Sequence, residues 1–161
     1  MTEKTKLKVH TKVLNENLTK NNMLPFYGSK SAAALDLRAC ITEPLTLAPG
    51  QTKLVGTGVA VYLDSAIEQV SGGLAALLLP RSGLGSKGII LGNTVGLIDS
   101  DYQNEIKAML WNRSDEPQTI EPYERIVQLM IIPVIQVELD IVNEFEASER
   151  GGGGFGSTGK L

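Results

Sequence analysis

Asp99 and Asp101 stand two residues apart in GLIDSDYQNEI (96–106), with Tyr102 directly after them. In a hairpin the two carboxylates sit beside each other next to a ring, which suits a group that takes a proton from water and a surface for stacking. A solvated, Asp-rich turn uses the same residues with no chemistry at all. PRSGLGSKG (80–88) sets Arg81 and Ser82 ahead of Gly83, Gly85 and Gly88. A forked cation, a hydroxyl and glycines that permit positive φ and close backbone approach form a sensible phosphate grip; an ordinary glycine-rich turn reads the same way. In ERIVQLM (124–130), Arg125 and Gln128 lie within a strand-like run, and Gln128 needs a hydrogen-bond partner if it is buried. A strand with one polar face is the plainer account. ALDLRA (34–39) puts Asp36 and Arg38 on the face opposite Leu35 and Leu37, as a structural ion pair or charged edge also would.

RGGGGFGSTGKL (150–161) raises a different possibility, because Gly154–Lys160 satisfies all but the last position of the phosphate-loop pattern G-x-x-x-x-G-K-[ST]. Leu161 stands where a Mg²⁺-binding hydroxyl belongs, and neither a strand nor a helix frames the run, so a phosphate-loop NTPase is not expected. Composition alone suggests a flexible Gly/Ser tail. Arg150 and Phe155 resist that reading, since a linker needs neither an anion-binding guanidinium nor an aromatic ring.

The bulk properties narrow the field. The chain has 161 residues, a formal net charge of −3 and 42% apolar content, which suits one globular domain and gives no broad attraction to nucleic acid. A single cysteine, Cys40, forbids an intrachain disulfide, and a single histidine, His10, removes most zinc chemistry, zinc nucleobase deamination included. His10 is expected at the surface and Cys40 as a small buried hydrophobe. MTEKTKLKVH lacks the apolar stretch of a signal peptide, and LAALLL and LMIIPVI are too short to span a bilayer. A soluble cytoplasmic protein with no nucleic-acid or membrane partner is the expectation.

The elements that must position these groups are short strands between turn signals. Strand-like stretches run over 7–14, 34–41, 52–63, 74–79, 87–92, 93–98 and 105–112, and two more are expected in 125–142, divided at Pro133. Their β-branched content and spacing predict an all-β sandwich or barrel. Only DSAIEQV (64–70) carries a helix signal, with Asp64 as its cap. Residues 1–146 are expected to form a single all-β domain and residues 147–161 a flexible Gly-rich C-terminal arm.

Taken in order, ALDLRA, PRSGLGSK, GNTVGLIDSDYQNEI, ERIVQLM and RGGGGFGSTG resemble the motifs of the trimeric-type dUTPase family. The resemblance implies a distorted jelly-roll or β-barrel-like sandwich with a flexible C-terminal arm. It implies hydrolysis of dUTP to dUMP and pyrophosphate by attack of water on the α-phosphorus, which limits uracil in DNA and supplies dUMP for thymidylate synthesis. It also implies Mg²⁺ and a homotrimer with shared active sites. By the resemblance Asp99 orients or deprotonates the water, and Asn93 with the backbone of 93–99, Gly96, Leu97 and Ile98 among them, forms a hairpin that reads uracil. Tyr102 stacks on the deoxyribose and excludes a 2′-hydroxyl. Arg81, Ser82 and Gly83 bind phosphates, Gln128 contacts the α-phosphate region, and Asp36 supports Arg81 or the hydrated metal. Arg150, Ser157 and Thr158 close over the terminal phosphates, while Phe155, beside Gly156, covers the base. Ala34 and Asn104 stand where the family usually has Gly; Asn104 is expected to keep a left-handed turn, whereas Ala34 would be strained by one. Two other readings share the fold, a dCTP deaminase-like relative and a nucleotide-binding regulatory protein. Asp99 followed by Tyr102, together with the Gly-Phe-Gly-Ser-Thr-Gly arm, argues against the first, and Asp99 argues against pure binding.

Overall fold

A computed structural model describes residues 6–70 and 72–147. In chain order its strands are β1 (His10–Val13), β2 (Phe26–Tyr27), β3 (Leu35–Arg38), β4 (Leu45–Leu47), β5 (Thr52–Gly56), β6 (Val59–Tyr62), β7 (Gly73–Pro80), β8 (Ile89–Leu91), β9 (Gly96–Ile98), β10 (Lys107–Asn112), β11 (Gln118–Ile120) and β12 (Arg125–Val134). Every pairing is antiparallel, in a five-stranded sheet β2-β3-β12-β7-β9, a three-stranded sheet β5-β10-β8, and the pairs β1-β6 and β11-β4. The expected all-β, jelly-roll-like sandwich is what forms. Alternation does the sorting: Lys107–Asn112 buries Ala108, Leu110 and Asn112 and exposes Lys107, Met109 and Trp111. The buried sides of the sheets meet in one core that includes Leu37, Leu47, Val55, Leu78, Ile106, Leu110, Ile126 and Leu129.

The run 52–63 is not one strand. It breaks at Thr57-Gly58, where Gly58 adopts φ +72° and a Cβ would lie 2.7 Å from Cys40 Sγ, so β5 joins β10 while β6 joins β1. Pro133 does not divide 125–142 into two strands either. β12 runs through it to Val134, because β3 pairs only as far as Leu129 and one side of β12 carries no ladder at Pro133. Residues 135–147 contain no strand, and Ile135, Val137, Leu139 and Ile141 are exposed, Ile135 by 90%.

The helix signal at 64–70 is a 3-10 helix, Leu63–Gln69, whose N-cap position is Tyr62; Asp64 lies in its first turn and caps nothing. Two short helices carried no recognised signal. α1 (Glu16–Lys20) starts at Asn15, whose side chain accepts from Asn17 N, and α2 (Ser82–Gly85) coils the glycine-rich stretch into a turn. Of Gly83, Gly85 and Gly88, only Gly88 takes a positive φ, +93°. Among the described residues neither Ala34 nor Asn104 is left-handed, so Ala34 carries no strain and Asn104 needs no special freedom. Thr94 and Tyr123 are left-handed instead, at +62° and +59°.

His10 is exposed, and Cys40 is half-buried, accepting from Asn15 Nδ2; burial pushes its thiol above the ordinary value. Among the described residues no helix is long and apolar enough to cross a membrane.

Candidate functional site

Asp36 is the centre of the site. It is 4% exposed on β3, and a buried carboxylate must be paired and fully hydrogen-bonded to stay charged. Three donors meet it. Arg81 Nε and Gln128 Nε2 reach Oδ1 at 3.2 and 3.1 Å, and Arg125 Nη1 reaches Oδ2 at 3.0 Å. Arg81 Nη1 also donates to the Arg125 carbonyl at 3.1 Å, which ties the end of β7 to the start of β12.

Arg125 and Gln128 are three apart, so in a regular strand they would face opposite sides of the sheet. The register of β12 against β3 shifts between Arg125 and Val127, and Ile126 and Val127 are both buried. That bulge turns Arg125 to the same face as Gln128, which lies directly opposite Asp36. Arg38, next along β3, donates from Nη1 to the Tyr123 carbonyl at 2.9 Å. Among the described residues the cluster holds three guanidiniums against one carboxylate, and that excess of positive charge suits a polyanionic ligand. Ser82 and Gly83 follow Arg81 at the surface; nothing lies within 4 Å of a Cβ built on Gly83, so a ligand can approach the backbone closely there.

Asn93, Gly96, Leu97, Ile98, Asp99 and Tyr102 form a second group. The chain from β8 to β9 is not a two-stranded hairpin, since β8 pairs with β10 and β9 with β7; it is a crossing between the sheets. At its apex Val95 N–H donates to Asn93 O at 2.7 Å around Thr94 at φ +62°, a γ-turn of the rare positive-φ kind. Gly96 suits the pairing of β9 with β7, because a Cβ would lie 3.0 Å from Leu78 Cβ and press on it. Leu97 is 63% exposed, and Asn93 and Asp99 are exposed as well. Tyr102 N–H donates to Asp99 O at 3.2 Å and its hydroxyl to Glu105 O at 3.0 Å, so the ring is held at both ends.

One chain does not bring the two groups together. The ladder rows run Asp36–Gln128–Leu79 and Ile98–Ala76–Ile131. Asp99 is therefore three strand spacings and about four residues of register from Asp36, roughly 20 Å on standard sheet dimensions.

A family model described as dUTPase matches residues 20–159. The chain belongs to the dUTPase family. It is 50% identical over 153 residues to the deoxyuridine 5′-triphosphate nucleotidohydrolase of Idiomarina loihiensis, covering 94% of this chain and 97% of the relative. It is 55% identical over 149 residues to that of Hahella chejuensis, covering 92% and 94%. Among solved structures, the dUTPase of Staphylococcus bacteriophage 80alpha with dUpNHpp superposes with a TM-score of 0.73 at 28% identity, over 94% of this chain and 98% of that one.

Within the family's motifs, the structure gathers Asp36, Arg81 and Gln128 at one place and Asn93 to Tyr102 at another. Arg150, Phe155, Gly156, Ser157 and Thr158 lie outside the described residues. Nothing in the sequence marks Arg125 as a partner of Asp36, because the bulge that turns it inward leaves no mark in a run of apolar residues. Asn112 is equally unmarked: it is fully buried, its Nδ2 donates to the Leu47 and Glu116 carbonyls and its Oδ1 accepts from Ser114.

Proposed function

We propose that this chain hydrolyses dUTP to dUMP and pyrophosphate, removing a source of uracil in DNA and supplying dUMP for thymidylate synthesis. The observation that carries the reading is the Asp36 cluster, which holds Arg81 and Gln128 of two separate family motifs on one carboxylate. The dCTP deaminase reading is not favoured, since the relatives are nucleotidohydrolases.

Water attacks the α-phosphorus, with Asp99 orienting it and accepting its proton. Negative charge grows on the phosphate oxygens, where Arg81, Ser82, the Gly83 backbone and Gln128 donate, and pyrophosphate leaves. Asn93 and the backbone through Gly96, Leu97 and Ile98 read the uracil edge. A pocket that pairs with uracil's donors and acceptors rejects cytosine by leaving polar groups unpaired, and rejects thymine by steric contact with its methyl. Arg150, Ser157 and Thr158 grip the terminal phosphates, and Phe155 with Gly156 closes over the base.

Mg²⁺ belongs to the same reading, and the donor set limits how the protein meets it. Among the described residues no three His, Cys, Asp or Glu side chains converge, and both oxygens of Asp36 already accept from cations or from Gln128. The ion would be held by the triphosphate with water completing its shell, Asp36 reaching it only through water. Bound there, it would neutralise charge on the phosphates.

The separation of Asp99 from Asp36 supports a homotrimer with shared sites, the Asp99 group of one copy meeting the Asp36 group of another. Exposed apolar side chains from Ile135 to Phe145 support it too, since they need a cover. In this reading residues 1–146 are one all-β domain, 147–161 are the arm that closes over a neighbouring copy's site, and the enzyme works in the cytoplasm. Substituting Leu139→Asp together with Ile141→Asp is expected to shift sedimentation toward monomer and to remove activity with it. A trimer unchanged at micromolar concentration would overturn that role for the segment.

The test of the central reading is pyrophosphate release with Mg²⁺ from dUTP, dCTP, dTTP and UTP in parallel. Turnover of dUTP alone is expected; release of ammonia from dCTP would overturn it. Tyr102→Ala tests the sugar contact. Because the ring is pinned at both ends, it acts as a rigid wall against a 2′-hydroxyl, and its loss should raise kcat/KM for UTP relative to dUTP roughly tenfold or more. Unchanged selectivity would place discrimination of the sugar elsewhere.

A further inference from the structure

Phe26 lies outside every motif that carries the family resemblance, on the two-residue strand β2, yet it is paired directly opposite Asp36. Its ring centroid is 5.8 Å from Arg38 Cζ and 5.9 Å from Arg125 Cζ. Those two arginines are themselves cross-strand partners on β3 and β12, and like charges in that position repel. The electron-rich face of the ring offsets the repulsion for both guanidiniums at once. The ring is 38% exposed, and a leucine in its place keeps most of the apolar area it buries, so what the aromatic ring itself adds is its contact with the two cations.

The consequence reaches Asp36 through Arg125. The Arg125 side chain is 41% exposed and has room to swing away. With the ring present it is held with Nη1 on Asp36 Oδ2, leaving Oδ1 to Arg81 and Gln128. Without it the Oδ2 contact loosens, the carboxylate turns about its Cβ–Cγ bond, and Arg81 and Gln128 lose a fixed acceptor. We propose that Phe26 is a positioning residue for the phosphate grip: it clamps Arg125 and Arg38, and through Arg125 it sets the Asp36 orientation that aims Arg81 and Gln128. The proposal rests on the dUTP-hydrolysis reading above.

The test is steady-state kinetics on dUTP for Phe26→Leu, Phe26→Trp and Arg125→Ala, and for the double variant Phe26→Leu/Arg125→Ala, with thermal midpoints measured alongside. Phe26→Leu keeps apolar bulk but loses the ring, and should lower kcat about threefold to fivefold, the weight of one or two half-exposed cation–π contacts. KM should move little, because the base-reading residues are on a different part of the fold, and the thermal midpoint should stay close to that of the parent. Phe26→Trp, a stronger cation–π partner, should restore kcat. In the Arg125→Ala background Phe26→Leu should cost nothing further in kcat, since the ring still meets Arg38 but reaches Asp36 only through Arg125. A full kcat in Phe26→Leu, or an equal loss with and without Arg125, overturns the proposal while leaving dUTP hydrolysis intact. A parent protein that does not turn over dUTP overturns the functional reading, and this role falls with it.

Discussion

Asp99→Asn is expected to lower kcat on dUTP by about a thousandfold while nucleotide affinity stays within a few-fold, the middle of the range for removing a general base. Asn has the shape of Asp and can still accept one hydrogen bond, so the change removes basicity and charge and little else. Asp99 is exposed, and among the described residues its side chain makes no hydrogen bond or ion pair: the contact fixing the turn is made by its backbone carbonyl, which accepts from Tyr102 N–H. Stability should therefore be unchanged, separating a chemical defect from a folding one. Calorimetric titration with an imido-linked dUTP analogue measures binding without turnover, and single-turnover pyrophosphate release measures the chemistry. A rate within tenfold of the parent would remove Asp99 from the role of base.

Much of the scaffold was legible because sheets write a period of two into sequence. Ala108, Leu110 and Asn112 against Lys107, Met109 and Trp111 show their faces by alternation, while Leu35–Arg38 alternates in residue type with Asp36 and Leu37 both buried. Turn residues marked the strand ends, and the ordered motifs pointed to the family. What alternation does not encode is where it is interrupted. The bulge beside Ile126 reverses the facing of Arg125, so two residues whose spacing reads as opposite faces deliver separate donors to one carboxylate. The split at Gly58 and the passage of β12 through Pro133 depend on which strands lie alongside, which is tertiary information. Contacts between residues far apart in the chain were equally hidden: Arg125 and Asp36 are 89 positions apart, and Phe26 meets both only because β2, β3 and β12 are adjacent. The positive φ of Thr94 runs against its β-branched type, and strain of this kind gathers at functional turns.

Asp36→Asn should damage both fold and activity, and the pair of effects distinguishes it from Asp99→Asn. The carboxylate accepts from three donors, Arg81 Nε, Gln128 Nε2 and Arg125 Nη1. An amide offers one acceptor and one NH₂ group, so in either orientation the NH₂ confronts at least one of those donors, and the negative charge that offsets two guanidiniums is gone. Breaking a buried ion pair by removing one partner costs about 3–5 kcal/mol. The Arg81 and Arg125 side chains keep 25% and 41% of their exposure, so water recovers part of that loss, and about 3 kcal/mol is the expected fall in unfolding free energy. On the phosphate-binding role proposed for Arg81 and Gln128, loss of their acceptor would misplace both, and a misplacement of about 1 Å is enough to lower kcat/KM about a hundredfold. Asp36→Glu keeps the charge on a longer stem and should fall between the two, losing aim but less stability. Urea denaturation and pyrophosphate release on the same preparations measure both terms. If Asp36→Asn kept the parent's denaturation midpoint and a rate within threefold, the carboxylate would not be what aims Arg81 and Gln128, and the phosphate grip would need another organiser.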